Sequence, residues 1–174
     1  MKNLLYIVVL VCLISCNAVR VNYDYDKTTD FSNYTTYNYF KDMQTGLSEL
    51  DEKRLLYSLD STLQAKGYLL SEEAEFLIDI KSGVYQSNTG NNVGVGVGGT
   101  GRSIGGGLSI GIPLGNASVK RQILFDFVDA NKNTLFWQAV ADSNFKEKAT
   151  PINRKEQLKR VVAKAFSKYP PDLK

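Results

Sequence analysis

Residues 119–142 read VKRQILFDFVDANKNTLFWQAVAD, and this segment carries the clearest strand pattern in the chain. Side chains alternate between the two faces of an extended chain, so Ile123, Phe125 and Phe127 fall on one face. Residues 129–133 are rich in Asp and Asn, which favour turns. Residues 134–142 return as a second strand and carry the only tryptophan of the chain. The segment therefore predicts a β-hairpin with one buried face.

Two helices are predicted on either side of this hairpin. Ser48 begins a capping box, leucines follow at helical spacing, and Gly67 stands where a C′ glycine ends a helix, which predicts a helix over residues 48–66. Thr150 and Pro151 have the residue types of a cap and a first turn, and they open a second helix. The apolar set of this second helix, which ends before two prolines, is Leu158, Val161, Val162, Ala165, Phe166 and Tyr169.

Three further strands complete the predicted fold. Residues 19–25 and 76–81 alternate polar and apolar side chains, and residues 34–40 have the Tyr and Thr content of a strand. The order is β-β-α-β, then a glycine-rich hairpin, then β-β-α. We expect an α+β fold, with a mostly antiparallel sheet and two helices packed on one face. Residues 19–174 would form a single domain, interrupted by a glycine-rich insertion at residues 90–115.

The amino-terminal residues have the features of a lipoprotein signal peptide. Residues 13–16 read LISC, and they follow a lysine and a ten-residue apolar run that is too short to span a bilayer, which takes about 20 residues. We therefore expect residues 1–15 to be cleaved between Ser15 and Cys16. Cys16 would carry the lipid, and residues 16–18 would form a short tether.

This four-residue box resembles that of bacterial lipoproteins, whose cysteine carries three acyl chains, palmitate among them. Several chains hold a protein far more firmly than one. The resemblance implies a Gram-negative cell envelope and an anchor in the outer membrane, facing the periplasm. The membrane is then the first expected partner, through the acyl chains on Cys16.

Composition excludes several kinds of chemistry. The chain has no histidine, which rules out catalytic triads with a histidine base and the usual zinc sites. Of its two cysteines, Cys12 lies in the predicted signal peptide and Cys16 would be acylated, so the mature chain would have neither a free thiol nor a disulfide. Its net charge of +2 after cleavage is too small to suggest nucleic acid. We expect no metal, no cofactor and no enzymatic activity.

The glycine-rich insertion holds eleven of the fourteen glycines. Residues 94–99 match the text of a dinucleotide-binding motif, but no helix pattern follows, so we expect no nucleotide. Two sets of apolar residues alternate with glycine in a way that suits a long docking hairpin. They are Val93, Val95, Val97, Leu108, Ile110 and Ile112. A mobile low-complexity loop is the alternative; a hairpin would serve an envelope partner or self-association.

Two other groups of residues are candidate sites near the amino terminus. Aromatic side chains can bind a glycan or a lipid, and the candidates are Tyr23, Tyr25, Tyr34, Tyr37 and Tyr39, although tyrosines on half-buried strands also pack routinely. Asp24, Asp26 and Asp30 are the candidates for a carboxylate-based hydrolase, although acids between strands usually cap turns.

The opening strands resemble a known family. Val21-x-Tyr23-Asp24-Tyr25 followed by Asp30-Phe31-x-x-Tyr34-x-Thr36-Tyr37 is similar to the start of the DUF 4136 lipoproteins, a domain of unknown function. The strand with the tryptophan before a carboxy-terminal helix and the final Tyr-Pro-Pro agree with it. The resemblance covers roughly residues 19–171. It implies a lipid-anchored α+β domain of the envelope with a binding or assembly role, and it carries no catalytic residues.

Overall fold

The computed structural model describes residues 19–87 and 118–172. Within these ranges the chain forms one sheet and two long helices, α1 (Glu49–Ala65) and α2 (Pro151–Ala165), together with a short 3-10 turn at Phe31–Asn33. The strands are β1 (Arg20–Tyr25), β2 (Thr36–Tyr39), β3 (Leu69–Leu70), β4 (Phe76–Ser87), β5 (Ser118–Asp129) and β6 (Leu135–Asn144). The predicted α+β class with two helices is confirmed.

The strands lie in the order β1-β6-β5-β4-β2-β3. The first four pair antiparallel with their neighbours, whereas β2 lies parallel to both β4 and β3. The sheet is therefore mixed, and the expectation of a mostly antiparallel sheet is wrong. The reason is that α1 carries the chain from the end of β2 back to the start of β3, and such a helical crossover joins parallel strands.

One face of the sheet is covered by both helices. Phe76, Ile78 and Ile80 of β4 are fully buried beneath them, and the corresponding residues of β5 are buried in the same core. Phe127 of β5 lies at the centre of this core, with ring centroids 4.8 Å from both Phe76 and Trp137 and 5.5 Å from Phe166. These contacts hold the predicted hairpin against the segment that follows α2.

Both helices begin at the residues that the sequence predicts. The Ser48 hydroxyl accepts a hydrogen bond from the amide of Asp51, and the Thr150 hydroxyl accepts one from the amide of Asn153. Gly67 has a φ of 94°, so it terminates α1 in the left-handed conformation expected of a C′ glycine. The second helix ends at Ala165, earlier than expected. Phe166 and Tyr169 of its predicted apolar set lie in the turn that follows, where both side chains are buried.

The two ends of the sheet differ, and we name them separately. In the antiparallel pairing of β1 with β6, Arg20 at the start of β1 lies opposite Asp142 near the end of β6. Residues 145–150 then lead from β6 into α2. We call this end, where β1 begins, the proximal end. We call the opposite end, which carries the β5–β6 turn at residues 130–134, the distal end.

A buried carboxylate joins both helices to the sheet near the proximal end. Asp51 of α1 is only 1% exposed. Its Oδ1 accepts a hydrogen bond from Arg54 at 2.7 Å, and its Oδ2 accepts bonds from Arg154 of α2 at 2.8 Å and from Arg121 of β5 at 3.4 Å. The Arg121 guanidinium also lies 4.1 Å from the centre of the Phe145 ring. One carboxylate therefore fixes the starts of α1 and α2 against β5.

The ion pairs determine the charge state of this carboxyl. Burial alone would raise the pKa of Asp51, but hydrogen bonds from Arg154 and Arg54 and the charges of Arg154 and Arg121 outweigh it, so its pKa lies below the ordinary value. Because the pKa in the folded state is lower than in the unfolded chain, about 3.9, this contribution to stability is fully present above that pH. It is lost as the pH falls through the folded-state value.

We expect Asp51→Asn to lower the free energy of unfolding by about 3 kcal/mol at pH 7, because three guanidinium groups lose the negative charge of their common partner and one of its two acceptor oxygens. Urea unfolding at pH 7 and below pH 4 measures this, and the difference between wild type and variant should shrink at the lower pH. Glu49→Gln is the matched control, since it removes an exposed pair with Lys53 and should change stability little. Equal effects of the two substitutions at pH 7 would contradict the assignment.

Candidate functional site

Two of the predicted sites lie outside the described residues. These are the cleavage and lipidation site at Ser15 and Cys16, and the docking hairpin with Val93, Val95, Val97, Leu108, Ile110 and Ile112. Both stay predictions. The structure does fix where the flanking strands lie, because β1 begins, β4 ends and β5 begins at the proximal end.

The tyrosines of β1 bind other parts of the fold. The Tyr23 hydroxyl donates a hydrogen bond of 2.6 Å to the carbonyl of Lys164 in α2. The Tyr25 ring lies edge-on to Phe31, with centroids 6.1 Å apart. Tyr23 thus attaches the edge strand β1 to α2, and Tyr25 attaches it to the 3-10 turn at Phe31–Asn33.

The tyrosines of β2 share one acceptor on α1. Tyr37 and Tyr39 donate to the same oxygen of Asp60 at 2.8 and 2.6 Å, and their rings lie perpendicular to each other. Burial raises the pKa of both phenols, and the hydrogen bond and negative charge of Asp60 raise it further. Both phenols therefore stay protonated at neutral pH and act as donors toward α1. Tyr37 is fully buried.

Tyr34 differs from the other four because it separates two clefts at the distal end. Its ring stacks on Phe136 with centroids 4.2 Å apart, and its hydroxyl donates to Asp129 at 2.8 Å. Burial, together with the hydrogen bond and charge of Asp129, raises the pKa of this phenol. The structure therefore does not bring the five tyrosines together on one surface. Tyr25, Tyr34 and Tyr39 line clefts, but only Tyr34 lines two.

The first of these clefts is aromatic and has a volume of about 410 Å³. Phe31, Tyr34 and Tyr68 contribute rings to its wall, Pro170 and Pro171 close one side, and Asp30, Ser32, Thr35 and Lys66 supply polar groups. A small cavity with apolar walls and a few polar groups is the usual form of a small-molecule site. This aromatic cleft is our candidate functional site.

The second cleft, of about 520 Å³, is mainly polar. Tyr34 and Asp30 belong to both clefts. The carboxylates of the second cleft hold the surrounding loops: Asp129 accepts from the amides of Asn131 and Lys132, and Glu75 accepts from the amides of Thr35 and Thr36. Asp129 of the polar cleft therefore holds the Tyr34 hydroxyl, and the loops around this cleft are fixed by hydrogen bonds to Asp129 and Glu75.

Tyr68, Pro170 and Pro171 were not predicted as site residues. The prolines follow α2, so they reach the cleft only through the tertiary fold. Tyr68 had a local signal, because a residue just after a C′ glycine folds back on its helix. The Tyr68 amide indeed donates to the carbonyl of Leu63 at 3.1 Å.

The three aspartates considered for hydrolysis each accept hydrogen bonds close by. Asp24 accepts from the amide of Tyr25, Asp26 from the amide and hydroxyl of Thr28, and Asp30 from the hydroxyl and amide of Ser32. The bonds from Thr28 lower the pKa of Asp26, and those from Ser32 lower the pKa of Asp30. Among residues 19–87 and 118–172, no three acidic side chains converge on a point that could hold a metal ion.

Residues 21–171 match the family described as a domain of unknown function, DUF4136. The chain belongs to the DUF4136 family. The resemblance seen in the opening strands is thereby confirmed, and the match spans every element from β1 to the turn that follows α2. A comparison with curated proteins gave no match.

Solved structures are similar to this DUF4136 domain to different degrees. A PDZ domain protein from Parabacteroides distasonis is similar over 88% of this chain, with 14% identity and a TM-score of 0.58. The chain spans 36% of the length of that protein. Two structures of a PelC dodecamer from Paraburkholderia phytofirmans cover 86% of this chain and 95% and 96% of their own, with 11% and 10% identity and TM-scores of 0.47 and 0.46.

No helix within the described ranges is long and apolar enough to cross a membrane.

The hydroxyl and the ring of Tyr34 should contribute separately to the stability of the domain. We expect Tyr34→Phe to lower the free energy of unfolding by about 1 kcal/mol, because the bond to Asp129 is lost while the stack on Phe136 remains. Tyr34→Ala should cost more, since it also removes the ring from the cleft wall. Thermal or urea unfolding of both variants measures this order. A Phe variant as unstable as the Ala variant would contradict it.

Proposed function

We propose that this DUF4136 domain is a lipid-anchored protein of the cell envelope with a non-enzymatic role in binding or assembly. The observation that carries the proposal is the LISC sequence at residues 13–16, which stands directly before a folded domain. Acylated Cys16 would hold the domain at the outer membrane, facing the periplasm. Because β1 begins only four residues after Cys16, this anchor would keep the domain close to the bilayer.

A binding role suits the side chains better than a catalytic one. Asp26 and Asp30 are engaged by their own turns, and Tyr23, Tyr37 and Tyr39 donate to groups of the two helices. The aromatic cleft is an open surface lined by rings and a few polar groups. Such a surface favours recognition of a partner molecule over acid–base chemistry.

A glycan is the second candidate, and the aromatic cleft is the specific observation that favours it. Sugar rings present C–H groups that pack on aromatic faces, and their hydroxyls pair with carboxylates and ammonium groups. Phe31, Tyr34 and Tyr68 supply the faces, and Asp30 and Lys66 supply the polar groups. Its volume of about 410 Å³ is at the small end of the usual range for ligand pockets, so one or two sugar rings would fit.

The assembly role predicts a protein partner. We expect crosslinking of the full chain in its membrane, followed by mass spectrometry, to recover a reproducible partner that is lost when residues 90–107 are deleted. Cys16→Ser should release the protein from the membrane and lose the same partner. Recovery of no protein, or of the same proteins with the deletion, would contradict an assembly role for the glycine-rich segment.

The glycan alternative predicts a different result. On a glycan array, wild type should bind and Tyr34→Ala should lose at least tenfold in signal, whereas Tyr34→Phe keeps the ring and should retain binding. Tyr57→Ala is the matched control, because Tyr57 is 69% exposed and does not line the cleft. An array signal that is absent, or that Tyr34→Ala leaves unchanged, would remove this alternative.

A further inference from the structure

Both helices begin at the proximal end, where the chain enters the domain. Arg20 at the start of β1 lies opposite Asp142 of β6 in the sheet, and the short loop after β6 leads into α2. Arg154 of α2 meets Asp51 of α1, so α1 also begins here. The first turns of both helices, the start of β1 and the loop at residues 145–149 therefore form one surface.

The distance from the predicted lipid to this surface is short. Four residue steps separate Cys16 from Arg20, which span at most about 14 Å in an extended chain. The distal end lies much further away, because a twelve-residue strand such as β5 is about 40 Å long. If Cys16 is acylated, the proximal end is therefore the part of the domain nearest to the bilayer.

Large apolar side chains protrude from the proximal end. Leu50 in the first turn of α1 is 63% exposed, and Ile152 in the first turn of α2 is 74% exposed. Val84 and Tyr85, near the end of β4, are also exposed. Lys146 and Lys148 lie exposed in the loop that precedes α2. Apolar tips flanked by lysines are typical of surfaces that rest in the headgroup region of a membrane.

Charge distinguishes this end from the distal end, which also has exposed leucines. The exposed cations of the proximal end are Arg20, Lys53, Lys146, Lys148 and Lys155, and the exposed carboxylates are Glu49, Glu147 and Glu156. At the distal end the exposed carboxylates are Asp26, Asp30, Glu72, Glu73 and Asp172, and the exposed lysines are Lys27, Lys66, Lys132 and Lys168. Cations are therefore in excess at the proximal end and carboxylates at the distal end, so an anionic membrane would favour the first surface over the second.

We propose that the proximal end is a membrane-docking surface for a bilayer containing anionic phospholipids. Leu50 and Ile152 enter the headgroup region, and Lys146 and Lys148 pair with lipid phosphates. The domain then stands on the membrane with its aromatic cleft turned away from it. This inference rests on the proposed lipid anchor at Cys16.

A single introduced cysteine tests the orientation, because the mature chain would have no other free thiol. The full-length lipoprotein carrying Ile152→Cys or Asn131→Cys is labelled with a fluorophore and reconstituted into vesicles of phosphatidylglycerol and phosphatidylethanolamine. A nitroxide on the lipid headgroup serves as the quencher. Asn131 is the matched control, since it is exposed in the distal β5–β6 turn. We expect quenching at position 152 to be at least threefold stronger than at position 131.

Charge reversal provides an independent arm. Lys146→Glu with Lys148→Glu should reduce quenching at position 152, and Lys27→Glu with Lys132→Glu at the distal end should leave it unchanged. Equal quenching at positions 152 and 131, in protein that floats with the vesicles, would overturn the docking surface and leave the anchor intact. Protein that does not float with the vesicles would overturn both the anchor and this inference.

Discussion

The positions of α1, α2 and β5 at the proximal end depend on one buried carboxylate. Asp51 accepts from Arg54 on its own helix, from Arg154 on α2 and from Arg121 on β5. Burying a charge without partners costs several kcal/mol, so these three arginines and Asp51 require one another. Because both helices are held at their first turns, their remaining lengths run side by side across the sheet, and the aromatic core fills the space beneath them.

That arrangement separates the domain into two ends with different chemistry. The starts of β1, α1 and α2 meet at one end, together with exposed apolar tips and lysines. The turn between β5 and β6 and the ends of both helices meet at the other, where carboxylates surround Tyr34 and the aromatic cleft. A lipid attached just before β1 would place the first end on the membrane and present the second to the periplasm.

Much of this fold is readable from local sequence. Alternation at Phe76, Ile78 and Ile80 predicts a strand, and the residue types at Ser48 and Thr150 predict where helices begin, because capping is a local interaction. Parallel pairing of β2 with β4 is not local, since it depends on where α1 returns the chain. The exposed second half of β4, up to Ser87, lacks the apolar alternation that marks its first half.

The candidate site was less predictable for the same reason. The tyrosines near the amino terminus were recognisable as a group, but the hydrogen-bond acceptors of Tyr23, Tyr34, Tyr37 and Tyr39 lie 21 to 141 residues away in sequence. These acceptors are Lys164, Asp129 and Asp60. Tyr34 could be singled out only once its neighbours in space were known. Pro170 reaches the cleft because the aromatic core fixes the turn after α2, and no local pattern contains that information.

The most direct test of this account is the intact mass of the mature protein extracted from membranes of its own host. The account predicts a chain that begins at Cys16 and carries the added mass of a glyceryl group and three acyl chains. A mature chain that begins at another residue, or that begins at Cys16 without lipid, would contradict it.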